Sequence, residues 1–342
     1  IGHSAGSSIT SGTKTTIVGA SAAQSSTTCD DSVIIGYQAA GESGTAMTGN
    51  DNTFVGSQAG YAHTSGYNNV LIGKEAGYSI TTGARNLFIG CGAGDGHDAE
   101  TYNVGVGEAA LGGSIAGGEY NTAVGPLSLL VLTSGDFNTA SGYQSGYAVT
   151  SGGYNTMIGY ATGKTGTSLT SGSYNLFLGA HTRASAADSE YQMVIGYDIP
   201  GGEDNEVSIG KNSNVIRCQF DTDATWTRDS DERKKKNIKP DVLGLDFVND
   251  LNTVTFNWRP NNEFPKEWDD YSEENKMNLD ATMHGMIAQD VKAALDKAGV
   301  DTFGGWKLNN DGSQRLSNDM FVFPLIKAIQ ELSAKVKALE DA

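Results

Sequence analysis

The chain has 342 residues and a net charge of −17, and 45 of its residues are Gly whereas only 6 are Pro. This acidic balance argues against nucleic acid and anionic membranes as partners, and the low Pro content argues against a Pro-rich disordered tail. No stretch approaches the roughly 18 consecutive apolar residues of a membrane-spanning helix, so we expect no membrane insertion.

The first residues carry neither a basic region nor an apolar run, so they do not predict a signal peptide. The chain also begins within a repeating pattern, which predicts that it is a piece of a longer protein. Its three cysteines, Cys29, Cys91 and Cys218, have neither zinc-site nor CxxC spacing. We therefore expect isolated buried thiols, and neither a metal nor a cofactor.

A short unit recurs along the first two thirds of the chain: two apolar or β-branched residues followed by Gly. Its period is 17 residues, with small insertions at a few places. An internal period of this kind is typical of stacked repeat architectures. The unit occurs as Ile17-Val18-Gly19, Ile34-Ile35-Gly36, Phe54-Val55-Gly56, Leu71-Ile72-Gly73 and Phe88-Ile89-Gly90, and its Gly recurs up to Gly210.

A second segment, Thr-Ser-Gly or Thr-Thr-Gly, keeps the same phase and is followed by Asn. β-Branched and aromatic residues favour strands, whereas Gly and Asn favour turns that need a positive φ. Each repeat is thus predicted to form short strands and tight turns. The asparagines that open the apolar segments are Asn69, Asn86, Asn138, Asn155 and Asn175.

A repeat with two or three apolar side chains cannot bury a core alone, so neighbouring repeats must stack. The strands are so short, and Gly is so frequent, that even a stack has few side chains for a core. Three chains wound about one axis would bring those side chains together at the centre. The sequence therefore predicts an all-β repeat shaft over residues 1–220, in an intertwined homotrimer.

The repeat over residues 1–210 resembles the head repeats of trimeric autotransporter adhesins and the glycine-rich shafts of phage fibres. Such shafts serve many purposes, so the resemblance implies an architecture and no particular activity. The segment from Gly105 to Ala110 also fits a dinucleotide-binding pattern, but Gly recurs there as part of the repeat and no long helix pattern follows. We predict no nucleotide site.

The composition changes near residue 220, and all four tryptophans lie beyond it. Residues 287–298 place apolar side chains on one helical face and end at Gly299, which predicts a helix and its C-terminal stop. We expect a junction over residues 221–229 and an α+β domain over residues 230–342.

The end of the chain predicts a helix with a continuous apolar seam. Leu325, Ile329, Leu332, Val336 and Leu339 are separated by alternating steps of four and three residues, which is the a/d pattern of a coiled coil. About two heptads cannot hold chains together alone, so the helix must pack within a larger trimer or within its own domain. The alternative is an amphipathic helix on the core of a monomer.

The junction carries a basic motif, Ser-Asp-Glu-Arg-Lys-Lys-Lys-Asn-Ile, over residues 230–238. It is similar to the opening of the intramolecular chaperone, auto-processing domain of endosialidase-type tailspikes and many tail fibres. Residues 284–291 and 324–332 resemble two later motifs of that family, in the expected order. The resemblance covers residues 225–342 and implies a segment of a phage tail fibre or tailspike, made in the host cytoplasm and located in the virion.

The resemblance also implies what the domain does. It trimerises, helps the upstream shaft to fold in register, and then cuts itself off before the motif serine, between Asp229 and Ser230. The Ser-Lys dyad of the family corresponds to Ser230 and Lys235 in this sequence. The chain departs from the family at Lys234, where Leu is frequent, and this position lies outside the dyad.

The residue types suit that chemistry. A serine hydroxyl needs a base to become a nucleophile, and a lysine serves as that base only when it is neutral. Desolvation and neighbouring positive charges both favour a neutral lysine. Ser230 can attack the carbonyl of Asp229 through a five-membered ring to give an ester that water opens, or water can attack directly. His284 is a candidate for orienting a group or donating a hydrogen bond.

We favour a fibre segment with a self-cleaving chaperone, a serine endopeptidase that acts once on its own chain. The alternative is a non-cleaving structural or adhesive trimer with a permanent C-terminal cap. A polysaccharide-degrading tailspike is a third hypothesis, but the acidic residues before residue 220 do not recur at the phase of the repeat. The expected partners are two further copies of the chain, and a host cell-surface receptor or glycan is a further candidate.

Overall fold

The computed structural model of the protein describes residues 1–41, 46–114, 116–164, 166–220, 227–228, 230–268, 270–275, 277 and 279–342. The chain divides into two compact units, Ile1–Ser230 and Asp231–Ala342. The first unit is a β-solenoid of about 11 turns, and the second is a small α/β unit that ends in a helix. This architecture confirms the predicted 17-residue β repeat and the α+β C-terminal region.

Each coil of the solenoid adds one strand to a single sheet, in sequence order. Neighbouring strands from β1 to β12 are parallel and pair without a shift, so that equivalent residues of successive coils face each other. The strands are β1 (Thr16–Val18), β2 (Val33–Ile35), β3 (Thr53–Val55), β4 (Val70–Ile72), β5 (Leu87–Ile89), β6 (Val104–Val106), β7 (Thr122–Val124), β8 (Thr139–Ser141), β9 (Thr156–Ile158), β10 (Leu176–Leu178), β11 (Met193–Tyr197) and β12 (Glu206–Lys211). The sheet ends in antiparallel pairs with β13 (Asn214–Gln219) and β14 (Thr227–Arg228).

The core of the solenoid is a column formed by the middle residues of the strands. Phe54, Leu71 and Phe88 are fully buried in this column, and residues of the turns, such as Ala59 and Leu129, close its other side. The burial that we expected from three intertwined chains is therefore achieved inside one chain. It arises because each coil folds back beneath its own strand, so that turn residues supply the second wall. Assembly into a homotrimer stays a prediction.

A glycine directly follows each of the strands β1–β10, and the equivalent Gly196 lies within the longer β11. The backbone at these glycines has a φ between +115° and +146°. A side chain at this place would also meet the next coil. A Cβ added to Gly142 would lie 2.4 Å from the carbonyl oxygen of Gly159, well inside contact distance. The repeated glycine is thus required by both the backbone angle and the spacing of the coils.

Asparagines that precede the strands form a buried ladder along the solenoid. The side-chain oxygen of each accepts the backbone N–H of its equivalent in the next coil. The positive φ of these turns falls on the residue before each asparagine, as at Tyr154 and Tyr174. The members are Asn52, Asn69, Asn86, Asn103, Asn121, Asn138, Asn155 and Asn175.

The residues with positive φ before these asparagines form a second, exposed column. Five of them, and Tyr191 at the equivalent place before Gln192, carry aromatic rings whose centroids are 4.9 to 5.0 Å apart, with nearly parallel planes. Because each ring covers the face of the next, the stack stabilises the turns of neighbouring coils. The rings belong to Tyr102, Tyr120, Phe137, Tyr154, Tyr174 and Tyr191.

Over its described residues, the second unit combines three α-helices with two small antiparallel sheets. Its buried core is small and consists of Leu243, Phe247, Val291, Ala294, Leu295 and Phe321. The predicted helix at 287–298 is confirmed and ends before Gly299, whose φ is +67°. The helices are α1 (Leu245–Asp250), α2 (Ala288–Lys297) and α3 (Val322–Glu340), and the strands are β15 (Thr253–Phe256) paired with β16 (Met283–Met286) and β17 (Trp306–Leu308) paired with β18 (Gln314–Leu316). Short 3-10 helices span Glu232–Lys234, Asn261–Glu263 and Asn318–Phe321.

Candidate functional site

The junction motif begins at Ser230, the last residue of the first unit. Asp231 caps the 3-10 helix that follows, and its carboxylate accepts the backbone N–H of Arg233 at 2.9 Å. The guanidinium of Arg233 donates to both oxygens of the same carboxylate, at 2.9 and 2.6 Å. These hydrogen bonds, together with the charges of Lys234 and Lys235, lower the pKa of Asp231 to about 2. The Asp and Arg of the motif thus hold each other and fix this turn.

Lys235 ends the 3-10 helix, and its backbone N–H donates to the carbonyl oxygen of Glu232 at 2.9 Å. Its side chain is exposed in the single chain, as are those of the neighbouring basic residues. The guanidinium of Arg233 is ion-paired with Asp231 at 2.6 Å.

The predicted dyad falls on both sides of the unit boundary. Ser230 belongs to the first unit and Lys235 to the second, so the pairing of their side chains stays a prediction. Asp229, the other residue of the predicted cleavage site, lies outside the described residues.

His284 lies on β16, opposite Thr255 of β15, and its side chain is exposed. It borders a surface hollow of about 500 Å³ that Val254, Met286 and Asn318 also line. The structure therefore places His284 on an accessible part of the second unit, and its part in the reaction stays a prediction.

The predicted apolar seam lies on α3 and faces solvent. Its five residues are between 46% and 78% exposed, and they are Leu325, Ile329, Leu332, Val336 and Leu339. Val322, three residues before Leu325, continues the same row and is 49% exposed. The helix packs on its own unit through Pro324 and Ala328 instead. The seam residues therefore do not cover the core of the single chain.

Sequence reasoning missed the role of Glu331 on α3. Its carboxylate accepts the backbone N–H of Leu245 at 2.8 Å, at the start of α1. The residue before α1 is Gly244, which offers no side-chain cap, and the first N–H groups of a helix need an acceptor. Glu331 therefore supplies the cap from a helix that lies 86 residues away in the sequence. The uncapped start of α1 was the signal that could have pointed to such a partner.

The cysteines differ in their surroundings. Cys29 is buried as expected, but Cys91 is exposed, so the expectation of buried thiols is wrong for that residue. Over the described ranges, no three His, Cys, Asp or Glu side chains are grouped so that they could hold a metal ion. In that same part of the chain, no helix has the length and apolar character needed to cross a membrane.

Residues 230–300 match the sequence model of a peptidase family described as chaperone of endosialidase. The match begins at Ser230 and includes the junction motif, α1, the β15–β16 pair and α2, whereas the solenoid and α3 lie outside it. It supports a C-terminal intramolecular chaperone role. No curated protein and no solved structure matches the chain significantly.

Proposed function

We propose that this chain is a segment of a phage tail fibre or tailspike whose C-terminal unit assembles three copies, guides the folding of the solenoid, and then releases itself by cutting between Asp229 and Ser230. One observation carries the proposal. The match to the chaperone family begins at Ser230, the residue at which the chain divides into its two compact units. A releasable folding unit needs its cut at such a boundary.

The exposed seam of α3 supports the trimerising role. Five apolar side chains in an a/d row are left facing water by the single chain, while the core of their own unit is small. Burying such a row against the same row of two further copies is the usual way in which a heptad pattern is satisfied. The C-terminal unit would thus hold three chains together before their solenoids are complete.

Holding the chains together addresses a problem that the solenoid itself creates. Its coils are nearly alike, so three chains could associate out of register by a whole repeat. Joining them at one end raises their effective concentration and aligns equivalent coils. After release, an unfolded shaft would lack this help, so the folded shaft would be protected by a slow rate of unfolding.

The cleavage step uses the two residues of the motif. The Ser230 hydroxyl adds to the carbonyl carbon of Asp229 while the Lys235 amine takes the hydroxyl proton. The C–N bond then breaks as the leaving nitrogen receives that proton, and an ester joins the two residues. Water hydrolyses this ester, which leaves a carboxyl group on Asp229 and restores the hydroxyl of Ser230.

Lys235 is exposed in the single chain, whereas a lysine base requires desolvation or nearby positive charge to be neutral. Lys234 and Lys236 flank it and supply positive charge. Packing of a neighbouring copy over the junction would supply desolvation, so we expect the chain to be cut only after it has assembled.

Mass spectrometry of freshly made full chain tests this proposal. The wild type should split before Ser230, and Ser230→Ala and Lys235→Ala should stay whole as trimers. Lys266→Ala is the matched control, since it removes an exposed lysine outside the motif and should still be cut. A wild-type chain that stays whole as a trimer would instead establish a permanent C-terminal cap. Cleavage of Lys235→Ala would show that another group is the base.

The same family resemblance supports two wider proposals. The assembled protein would be located in the virion, and its shaft would meet a host cell-surface receptor or glycan. Binding of the purified trimer to host cells, measured with and without the solenoid, tests the second of these.

A further inference from the structure

One side of the parallel sheet of the solenoid is partly exposed to solvent over the described residues. In β1–β11 the middle residue points into the core, so the first and third residues of each three-residue segment point outward. In β11 this segment is Met193 to Ile195, as the pairing with β10 shows. We name these first and third residues of β1–β11 the outer sheet face.

The composition of the outer sheet face is unusual for a surface. Charged residues make up 18% of the chain, but the outer sheet face carries none. Its third positions are Val, Ile or Leu except at Ser141, and its first positions are Val, Leu, Met or Thr. Val124, Ile158, Leu178 and Met193 are each 40% to 41% exposed. Water-facing strands normally carry polar residues, so this pattern is typical of a sheet that is covered on both sides.

The face is also long and regular. Strands are spaced by about 4.8 Å, so eleven of them form a face about 50 Å long. A contiguous apolar surface larger than a few hundred Å² marks an interaction site on a soluble protein. An occupant must therefore be apolar, uncharged and flat over this length.

We propose that the outer sheet face is the surface through which the solenoids of three copies pack side by side. A second copy in parallel orientation presents the same apolar columns with the same spacing, so equivalent coils meet along the whole length. Charge favours this face as well. Each copy carries a net charge of −17, so contact through its other surfaces would bring like charges together. The outer sheet face has no charged residues, so contact through it avoids this repulsion.

This inference rests on the trimer of the proposed function and states how its shafts meet. Each chain completes its own core and then packs as a finished solenoid, in contrast to the intertwined chains that the sequence predicted. The α3 seam could assemble three copies without any contact between their solenoids, so the two interfaces can be tested separately.

Thiol labelling of the full chain tests the outer sheet face directly. In a background with Cys91→Ser and Cys218→Ser, Ile158→Cys places a thiol on the face and Ser171→Cys places one in an exposed turn of the same region. Light scattering establishes the oligomeric state, and mass spectrometry follows maleimide labelling. We expect a trimer in which Ile158→Cys reacts about tenfold or more slowly than Ser171→Cys, because a covered thiol is shielded from reagent.

A charge on the neighbouring strand provides the control. Leu178 pairs with Ile158 across β9 and β10, so adding Leu178→Asp should open the contact and bring the labelling of Ile158→Cys to within about twofold of Ser171→Cys. Adding Ser151→Asp, in an exposed turn, should leave the labelling slow.

The outcomes separate the two proposals. A trimer with equal labelling rates would overturn the packing of the solenoids and leave C-terminal trimerisation standing. Slow labelling that persists with Leu178→Asp would also overturn the packing, because the protection would then come from the single chain. A monomer would overturn both proposals.

Discussion

The side-chain oxygen of Asn121 accepts two hydrogen bonds from Asn138, one from its backbone N–H at 2.9 Å and one from its Nδ2 at 3.1 Å. Asn138 Nδ2 also donates to the carbonyl oxygen of Gly152 at 2.9 Å. Both residues are fully buried, so every one of these polar groups depends on its partner in a neighbouring coil. The ladder thereby fixes the register of the coils from within the core.

Removing one member of the ladder should therefore destabilise the solenoid. Asn138→Ala leaves the oxygen of Asn121 and the carbonyl of Gly152 with fewer donors, and we expect a loss of about 2 to 4 kcal/mol in the free energy of unfolding. Urea unfolding followed by circular dichroism measures this loss. Ser151→Ala, at an exposed turn position, is the control and should change the free energy of unfolding by less than about 0.5 kcal/mol. Equal midpoints for the two variants would contradict the structural role of the ladder.

The repeated glycine offers a test that separates backbone strain from a clash between coils. Gly142 has a φ of +130°, and an added Cβ would lie 2.4 Å from the carbonyl oxygen of Gly159. Gly117 has a comparable φ of +111°, but an added Cβ would meet nothing within 4 Å. Gly117→Ala should cost about 1 to 3 kcal/mol from strain alone, and Gly142→Ala should cost more because neighbouring backbone must shift. Thermal unfolding of both variants measures the difference. If both lose the same free energy of unfolding, the neighbouring coil moves aside without a measurable loss of stability.

Two buried histidines predict that the solenoid loses stability in mild acid. Burial lowers the pKa of His63 to about 4 and that of His97 to about 3, from an ordinary value of 6.5. The unfolded chain therefore binds these protons between pH 6.5 and those values while the folded chain does not. Their stabilising effect is complete above pH 6.5 and is lost as the pH falls, by about 2 to 3 kcal/mol for each histidine at pH 4.5.

The free energy of unfolding at pH 7.5 and at pH 4.5 checks this expectation. His97→Gln should reduce the difference between the two pH values, because the glutamine does not titrate. His3→Gln, at an exposed position, should leave the difference as it is in the wild type. If His97→Gln shows the full wild-type difference between the two pH values, groups other than His97 cause the loss of stability.

The exposed seam of α3 predicts how the proposed trimerisation would be abolished without unfolding the chain. Ile329 is 65% exposed in the single chain, so Ile329→Asp should leave the fold of the unit intact while placing three carboxylates in the assembled seam. We expect a trimer-to-monomer change in sedimentation, together with loss of self-cleavage. Gln330→Asp adds the same charge to an exposed position beside the seam and should stay trimeric. A trimeric Ile329→Asp chain would show that the copies associate elsewhere.

Glu331 predicts a link between α3 and α1. Glu331→Ala removes the acceptor for the backbone N–H of Leu245, which should destabilise the start of α1 by about 0.5 to 2 kcal/mol. Amide hydrogen exchange at the first turn of α1 should accelerate accordingly. Glu331→Gln keeps an acceptor oxygen and should preserve most of the protection. If the two variants exchange equally fast, the charge rather than the hydrogen bond supports this contact.

The sequence by itself determined the features that depend on local spacing. The 17-residue recurrence of an apolar pair and Gly predicted a stacked β repeat, and the four-and-three spacing from Leu325 to Leu339 predicted the helix and its seam. Such patterns repeat along one chain, so the residue types that a strand, a turn or a helix requires are visible without any knowledge of contacts.

Only the tertiary structure decided which groups meet. It placed the core inside one chain, because the backbone of each coil turns back beneath its strand, and no sequence period reports that path. It placed the positive φ at Tyr154, one residue before Asn155, whose side chain joins the buried ladder. It also brought Glu331 to Leu245 across 86 residues. These contacts join segments that are distant along the chain. They therefore depend on the path of the whole backbone and not on the residues next to them in the sequence.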